Sequence, residues 1–383
     1  MKRVYLDNGA TSYPKAPGVG DRMKHFIEDI GCSVNRSGYE SDFSTEEVVF
    51  ETREIIAGMF NFDLPENVVF TLNVTQALNF LIKGILDAGD HCIVSSMEHN
   101  AVMRPLMQLS RMGVEFTRIQ CDEFGRMDAD SIRSHIKNNT KAVIVTHASN
   151  VCGTVLPVQE IGNICRQNGL KLIIDTAQTA GILDIDFMKL NADAIAFTGH
   201  KGLLGPHGIG GFLISKELAS AVQSLISGGT GSLSEFEEQP PYMPDKFEAG
   251  TPNLPGIFGL NTALKYINKV GIKGIREKEM ELTGLFLNGI GNITGIETVG
   301  LRETAGRTAV ISIDFVGKDN ANIAYLLERD YGIKTRCGMH CAPSAHKTLG
   351  TFPRGTVRFS LGHFNTKEEI EYTVDAINRV LKG

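Results

Sequence analysis

A lysine flanked by small residues, between two apolar runs, is the first feature with chemical potential. Lys201 lies in Ala196-Phe197-Thr198-Gly199-His200-Lys201-Gly202-Leu203-Leu204-Gly205-Pro206. Asp193-Ala194-Ile195 before it and Gly208-Ile209-Gly210-Gly211-Phe212-Leu213-Ile214 after it both read as short buried strands. A lysine in so tight a connection is partly desolvated, which lowers its pKa and makes the amine nucleophilic; a solvated loop lysine is the plainer alternative. One unit upstream, Leu172-Ile173-Ile174-Asp175 is an apolar strand ending in a carboxylate. A lysine and an aspartate at neighbouring strand ends suit pyridoxal 5'-phosphate, the amine as Schiff base and the carboxylate as partner of the pyridine nitrogen. A second constellation, Thr335-Arg336-Cys337-Gly338-Met339-His340-Cys341-Ala342-Pro343, sets a cysteine beside a histidine and an arginine on a glycine-containing loop. That suits a stabilised thiolate; two cysteines packed at a strand end are the alternative.

Composition bounds what these residues serve. The chain has 383 residues, 42% hydrophobic and 21% charged, enough for one large domain and a smaller one. A net charge of −6 argues against nucleic acid or an anionic membrane as the main partner. No apolar run is long enough to span a bilayer, and Met1-Lys2-Arg3-Val4-Tyr5-Leu6 meets Asp7 too soon for a signal peptide, so a cytoplasmic protein is expected. The seven cysteines are scattered, apart from Cys337 and Cys341, which is not a disulfide framework.

Strands and helices alternate from Val68 to Ile214, which predicts a largely parallel sheet with helices on both faces: an α/β fold. Ser44-Thr45-Glu46-Glu47 reads as a capping box opening a helix to about Phe60. Leu72-Asn73-Val74-Thr75 reads as a turn before a helix from Gln76 to Leu86, with Thr75 either an N-cap or part of an anion site. His99 follows a strand and lies on the carboxyl edge of the sheet, where open α/β folds bind ligands; a solvated loop histidine is the alternative. Asn150 closes another strand. After a long polar loop, Thr251 reads as the N-cap of a helix near Pro252. From Leu260 the pattern changes to a smaller α+β domain, in which Asn320 is the expected N-cap of a helix and Arg358 projects from a strand. The expected organisation is an N-terminal arm over 1–18, a large domain over 19–259 and a small domain over 260–383.

Asp175-Thr176-Ala177-Gln178 followed by Thr198-Gly199-His200-Lys201 resembles the class V, fold-type I, pyridoxal-phosphate-dependent aminotransferase family. His340-Cys341-Ala342 is similar to the cysteine desulfurase branch, which includes selenocysteine lyases. The likeness runs from Tyr5-Leu6-Asp7-Asn8 to Asn365-Thr366. It implies that the arm folds over the active-site mouth, with Asn8 and Ala10 near the substrate. His99 stacks on the cofactor ring and moves protons. Thr75, Thr198 and His200 hold the phosphate, joined by Thr251 from a neighbouring subunit, hence a homodimer with shared sites. Asn150 serves the ring hydroxyl or the substrate carboxylate, and Gln178 the ring hydroxyl. Arg358 takes the substrate α-carboxylate, with Arg336 as second candidate.

The resemblance further implies conversion of L-cysteine to L-alanine. Lys201 moves the Cα proton, and Cys341 takes the sulfur as a persulfide. A thiol acceptor then receives it: an iron–sulfur cluster assembly protein, a small carrier or a reductant. Selenocysteine lyase and aminotransferase on another amino acid are the alternatives; a non-catalytic scaffold has no need of Lys201, Asp175 and His99. Cys337, where many relatives carry a small polar residue, has three readings: packing, a partner for Cys341 in persulfide relay or disulfide, or a metal ligand with His340, Cys341 and His346. No metal is assigned.

Overall fold

The computed structural model describes residues 3–34, 40–233 and 235–382. Its strands are β1 (Val4–Tyr5), β2 (Val68–Thr71), β3 (His91–Ser95), β4 (Glu115–Ile119), β5 (Thr140–Thr146), β6 (Lys171–Asp175), β7 (Ala194–Thr198), β8 (Gly210–Ile214), β9 (Ile296–Val299), β10 (Val310–Phe315), β11 (Ile333–Lys334), β12 (Arg336–Gly338) and β13 (Thr356–Ser360). The α-helices are α1 (Val19–His25), α2 (Glu40–Met59), α3 (Val74–Ile85), α4 (Asn100–Ser110), α5 (Val158–Gln167), α6 (Lys216–Ala221), α7 (Leu254–Val270), α8 (Ile272–Ile290), α9 (Asn320–Tyr331), α10 (Pro343–Thr348) and α11 (Lys367–Lys382).

The large sheet runs in the order β2-β8-β7-β6-β5-β3-β4. From β7 to β4 all pairs are parallel, and β8 alone is reversed between β7 and β2. The expected α/β architecture is present. Its central strands are buried and mainly apolar because both faces are covered, whereas the edge strand β4 carries exposed Glu115 and Arg118. Val143, Val145, Leu172 and Ile174 bury into one core, and Ala142, Ile144 and Ile173 into another on the opposite face, as a period of two requires. The small sheet is antiparallel, in the order β12-β13-β10-β9. Ile311, Ile313, Val357 and Phe359 from this sheet meet Phe286 of α8, Leu327 of α9 and Ile377 of α11 in a third core. Among the described residues no helix is long and apolar enough to cross a membrane.

Several boundaries differ from the sequence expectation. The break placed near Leu260 falls inside α7, whose buried residues join the first core; the third core draws on α8 from Leu282. Nothing in Glu40-Ser41-Asp42-Phe43 stops a helix, so α2 begins at Glu40 and the presumed capping box lies a turn inside it. Three N-caps shift to a neighbouring side chain. Asn73 caps α3 by accepting from the Gln76 N–H at 3.0 Å, which puts Thr75 in the first turn. Asn253, not Thr251, caps α7 through the Gly256 N–H at 3.1 Å. Asp319, not Asn320, caps α9 through the Ala321 N–H at 3.0 Å, while Asn320 turns inward to Asp314 and the Gly355 carbonyl. Of the residues displaced, Asn320 is claimed by another element, while Asn253 caps α7 and also donates to the Gly208 carbonyl at 2.7 Å.

Helix α5 lies so close to the chain before β7 that a Cβ on Gly162 would come within 1.8 Å of the Leu190 carbonyl oxygen. Gly162→Ala gains roughly 1 kcal/mol of helix propensity but forces this contact apart, at a cost of roughly 1–3 kcal/mol or more. A lowered urea unfolding midpoint at unchanged denaturant slope is the expected outcome.

Candidate active site

Lys201 occupies the turn from β7 to β8. The Leu204 N–H donates to the Lys201 carbonyl at 2.9 Å, and the Gly205 N–H to the Gly199 carbonyl at 2.8 Å. Only glycine fits at 202, where a Cβ would stand 2.5 Å from the Ala180 carbonyl oxygen. Asp175 ends β6, buried, with Oδ1 accepting from the Ala177 N–H at 2.9 Å. Burial brings the Lys201 ammonium down to about 8; the Asp175 charge opposes that fall, and Arg358 and Arg336 add to it. Burial also raises the Asp175 carboxyl, with the Ala177 N–H and Lys201 pulling the other way. His99 caps α4: its Nδ1 accepts from the Ala101 N–H at 3.0 Å, which leaves the proton on Nε2. Burial, followed by the charges of Lys201, Arg336, Arg358 and Arg104, lowers His99 to about 4, so the ring is neutral at pH 7.

Two side chains beside Lys201 have buried polar atoms to spare. Thr198 Oγ1 and His200 Nδ1 have no hydrogen-bond partner among the described residues. Burial lowers His200 to about 3, and its ring stacks on His207 with centroids 4.8 Å apart. Thr75 is exposed in the first turn of α3, where backbone N–H groups lack helical acceptors. Thr251 is also exposed; it lines a cavity of about 220 Å³ with Leu72, Gln76 and Phe247. A desolvated lysine, a buried carboxylate and unspent donors on the lysine turn fit pyridoxal phosphate.

Arg358, 1% exposed, gathers three parts of the chain. Its Nη1 donates to the Asn150 carbonyl at 3.0 Å and its Nη2 to Asp7 Oδ1 at 2.8 Å, while Nε has no partner among the described residues. Asp7 belongs to the N-terminal segment, which begins in the small sheet's territory: β1 pairs parallel with β11, and Asp7 bridges to Ser360. The segment then crosses to the lysine turn, where Lys15 Nζ donates to the His200 carbonyl at 2.8 Å and to Thr11 and Ser12 hydroxyls at 3.1 Å. Asn8 spends its amide within the chain, donating to the Ser360 carbonyl at 3.0 Å and accepting from the Tyr13 N–H at 3.2 Å. Gln178 Nε2 donates to the Gly9 carbonyl at 3.1 Å.

Cys341 is exposed, the free thiol of a loop in which His340 and Cys341 both have left-handed backbones, φ 47° and 58°. An Arg336 Nη2–H points at its Sγ over 3.9 Å, and the Asn100 N–H at the start of α4 donates to its carbonyl at 2.8 Å. Asn150 lies in the turn after β5, four residues beyond the strand that sequence reading had it close, and donates to the His340 carbonyl at 2.7 Å. Cys337 is half-buried and packs against the third core, and both it and Cys341 are free thiols. No group of three His, Cys, Asp or Glu among the described residues could hold a metal ion. The structure thus gathers Lys201, Asp175, His99, Asn150, Arg336, Cys341 and Arg358; the start of α3 with Thr75 follows Thr71, whose partner Gly210 also pairs with Thr198, and Thr251 lines the cavity beside it.

Comparison with known proteins agrees with this geometry. The aminotransferase class-V family matches residues 4–373. This chain belongs to that family. It is 33% identical over 382 residues to a probable cysteine desulfurase of Methanothermobacter thermautotrophicus, covering 98% of this chain and 94% of the relative. The apo structure of a cysteine desulfurase from Thermococcus onnurineus superposes with a TM-score of 0.92 at 30% identity, covering 100% of this chain and 95% of that one. A cysteine desulfurase of Escherichia coli in an S-sulfonic acid form superposes at 0.88 with 28% identity, covering 99% and 95%.

Sequence reading of this class-V chain missed three groups around the site. Asp7 is the counter-charge of Arg358, unmarked by any motif. Glu98 is wholly buried; burial raises its carboxyl to about 8, and its Oε1 accepts from the Ser95 hydroxyl and from the Thr146 N–H at 3.0 Å. His147 is buried at the end of β5, with Nδ1 3.0 Å from the Thr179 hydroxyl. The apolar run before each was the available signal, since a charged residue closing a buried strand has to find a partner.

Two outcomes follow from burial. Asp7→Ala strands the Arg358 cation and is expected to cost about 3 kcal/mol in urea unfolding, with Asp7→Asn milder. Burial holds His147 at about 4, below its ordinary value, so its stabilising contribution is complete above about pH 6.5 and is lost as pH falls toward 4. His147→Gln should flatten the fall in unfolding free energy across that window by up to one proton.

Proposed function

We propose that this chain is a pyridoxal-phosphate-dependent cysteine desulfurase that converts L-cysteine to L-alanine and carries the sulfur on Cys341. One observation carries the reading. An exposed thiol stands beside an arginine N–H, on a loop bonded to the capped start of α4, next to the neutral His99. Transamination has no use for such a thiol. The relatives bear the name cysteine desulfurase, and neither selenocysteine lyase nor an aminotransferase on another amino acid draws support from them.

In this reading Lys201 holds the cofactor covalently, Asp175 partners its ring nitrogen and neutral His99 covers the ring. Thr198, His200 and the first turn of α3 at Thr75 take the phosphate. The cofactor, when bound, withdraws electrons from the substrate Cα and so loosens its Cβ–S bond. Arg358 offers its unpartnered Nε–H to the substrate α-carboxylate, and Arg336 stands by the sulfur. Lys201, its ammonium down to about 8, exists partly as the free amine near neutrality and accepts the Cα proton. Cys341 Sγ, as thiolate, attacks the substrate sulfur. The S–S bond forms, the Cβ–S electron pair stays with the carbon, and a proton completes the methyl group of alanine. The persulfide then passes to a thiol acceptor, a protein or a small reductant. Asn8 and Gln178 serve as anchors of the arm, and Cys337 as a packing residue. The division into arm, large and small domains, a homodimer in which exposed Thr251 reaches the partner's phosphate, and a cytoplasmic location complete the proposal.

A single turnover with cysteine, followed by alkylation and mass spectrometry, tests it. Persulfide on Cys341 with one alanine per site is expected. Cys341→Ala should keep the visible absorption of bound cofactor and lose sulfur transfer by several orders of magnitude, whereas Lys201→Ala should lose the absorption itself. A Cys341→Ala variant that desulfurises cysteine at full rate defeats the reading. Selenocysteine turned over equally well with and without Cys341, while cysteine is not turned over by the wild type, would instead indicate a lyase.

A further inference from the structure

The turn that carries Asn150 is gripped by the small sheet at four consecutive carbonyls. Arg358 donates to that of Asn150 at 3.0 Å, the Ser312 hydroxyl to that of Val151 at 2.7 Å, Arg307 Nη2 to that of Cys152 at 3.2 Å, and the Thr308 N–H to that of Gly153 at 2.8 Å. Arg307 and Arg358 are both fully buried. Gly153 makes the close approach possible: its φ is 79°, and a Cβ there would stand 2.5 Å from the Val310 carbonyl oxygen. A turn held at every residue aims its one amide side chain rigidly, and Asn150 Nδ2 points at the His340 carbonyl, 2.7 Å away.

That carbonyl belongs to the peptide joining His340 to Cys341. Both residues are in the left-handed region without being glycine. A left-handed backbone costs an ordinary residue roughly 1–2 kcal/mol, and two in succession persist only where surroundings over-determine them. The His340 ring is fixed by the Thr356 hydroxyl at 3.1 Å, the Cys341 carbonyl by the Asn100 N–H at 2.8 Å, and Ala342 by burial in the first core. The Ala342 N–H closes the turn on the Met339 carbonyl at 2.9 Å, and Asn150 adds the tie on the carbonyl immediately before the thiol-bearing residue.

We infer that Asn150 is a positioning residue for Cys341: its amide holds the His340–Cys341 peptide in the left-handed conformation that presents Sγ beside Arg336. This rests on the desulfurase reading only for its kinetic consequence. Asn150 keeps Oδ1 and a second N–H, so the same side chain spans the thiol loop and whatever binds beside Arg358.

Hydrogen–deuterium exchange on Asn150→Ala, with and without cofactor, tests the tie independently of any activity. Amides of the 336–343 stretch should exchange about tenfold faster than in the wild type, equivalent to about 1.4 kcal/mol, while those of β5 and β6 stay unchanged. Ser312→Ala, which loosens the turn one residue further on, should raise exchange in the same stretch by a smaller factor. In stopped flow, Ser312→Ala, which leaves the Asn150 amide in place, should bind cysteine within about threefold of wild type yet form Cys341 persulfide several-fold more slowly, and in Asn150→Ala the loss in persulfide formation should exceed any loss in cysteine binding about tenfold. Unchanged exchange at 336–343 in both variants overturns the inference. So does an equal loss of cysteine binding and persulfide formation, which would reduce Asn150 to a binding residue. Normal loop exchange effects in a protein that never forms a persulfide would instead defeat the desulfurase reading and leave the tie intact.

Discussion

Arg358 carries a charge where water does not reach, and three separate pieces of chain converge to make that tolerable. Its own strand, β13, belongs to the small sheet; its counter-ion, Asp7, comes from the N-terminal segment; its second acceptor, the Asn150 carbonyl, comes from a turn of the large sheet. An unpaired buried guanidinium is costly, so the three pieces hold together or the arrangement fails. This one requirement fixes the N-terminal segment across both sheets and brings the small sheet onto the carboxyl ends of β5 and β6. It also leaves the Arg358 Nε–H without a partner among the described residues.

Burial tunes the remaining chemistry by penalising charge wherever an opposite charge is not supplied. Lys201 falls to about 8 despite Asp175, and His99 falls to about 4 because it is buried and the charges of Lys201, Arg336, Arg358 and Arg104 add to that fall. Asp175, the acid that raises Lys201 most, itself rises on burial but is met by a backbone N–H and Lys201. Glu98, with only hydroxyl and amide donors, is pushed up to about 8 and is best described as a neutral acid at pH 7. Burial therefore raises both carboxyls near these strand ends, and only Asp175 has the Lys201 charge opposing the rise.

The thiol is treated in the opposite way. Cys341 is left exposed, while its backbone is tied at the carbonyls on both sides of its α-carbon. A nucleophile that must meet a substrate and afterwards hand its cargo to another molecule needs an open side chain on a defined backbone. Cys337, four residues earlier on β12, is half-buried against the third core.

The sequence by itself determined the chemistry and the class of fold. The apolar runs ending in Asp175 and Thr198 could only be buried parallel strands, and the residue types at their ends could be read directly as an amine, a carboxylate and donors. The tight turn at Lys201 was marked by its glycines, of which Gly202 makes room for the Ala180 carbonyl. Only the tertiary structure decided the partners. Asp7 lies 351 residues from Arg358, and Asn150 190 residues from His340, and no local periodicity records so distant a contact. It also decided which of two nearby polar residues caps a helix, Asn73 over Thr75, Asp319 over Asn320 and Asn253 over Thr251, since that depends on where the chain enters the helix. Residue types announce what a group can do when desolvated or paired; packing alone determines whether it is desolvated and with what it is paired.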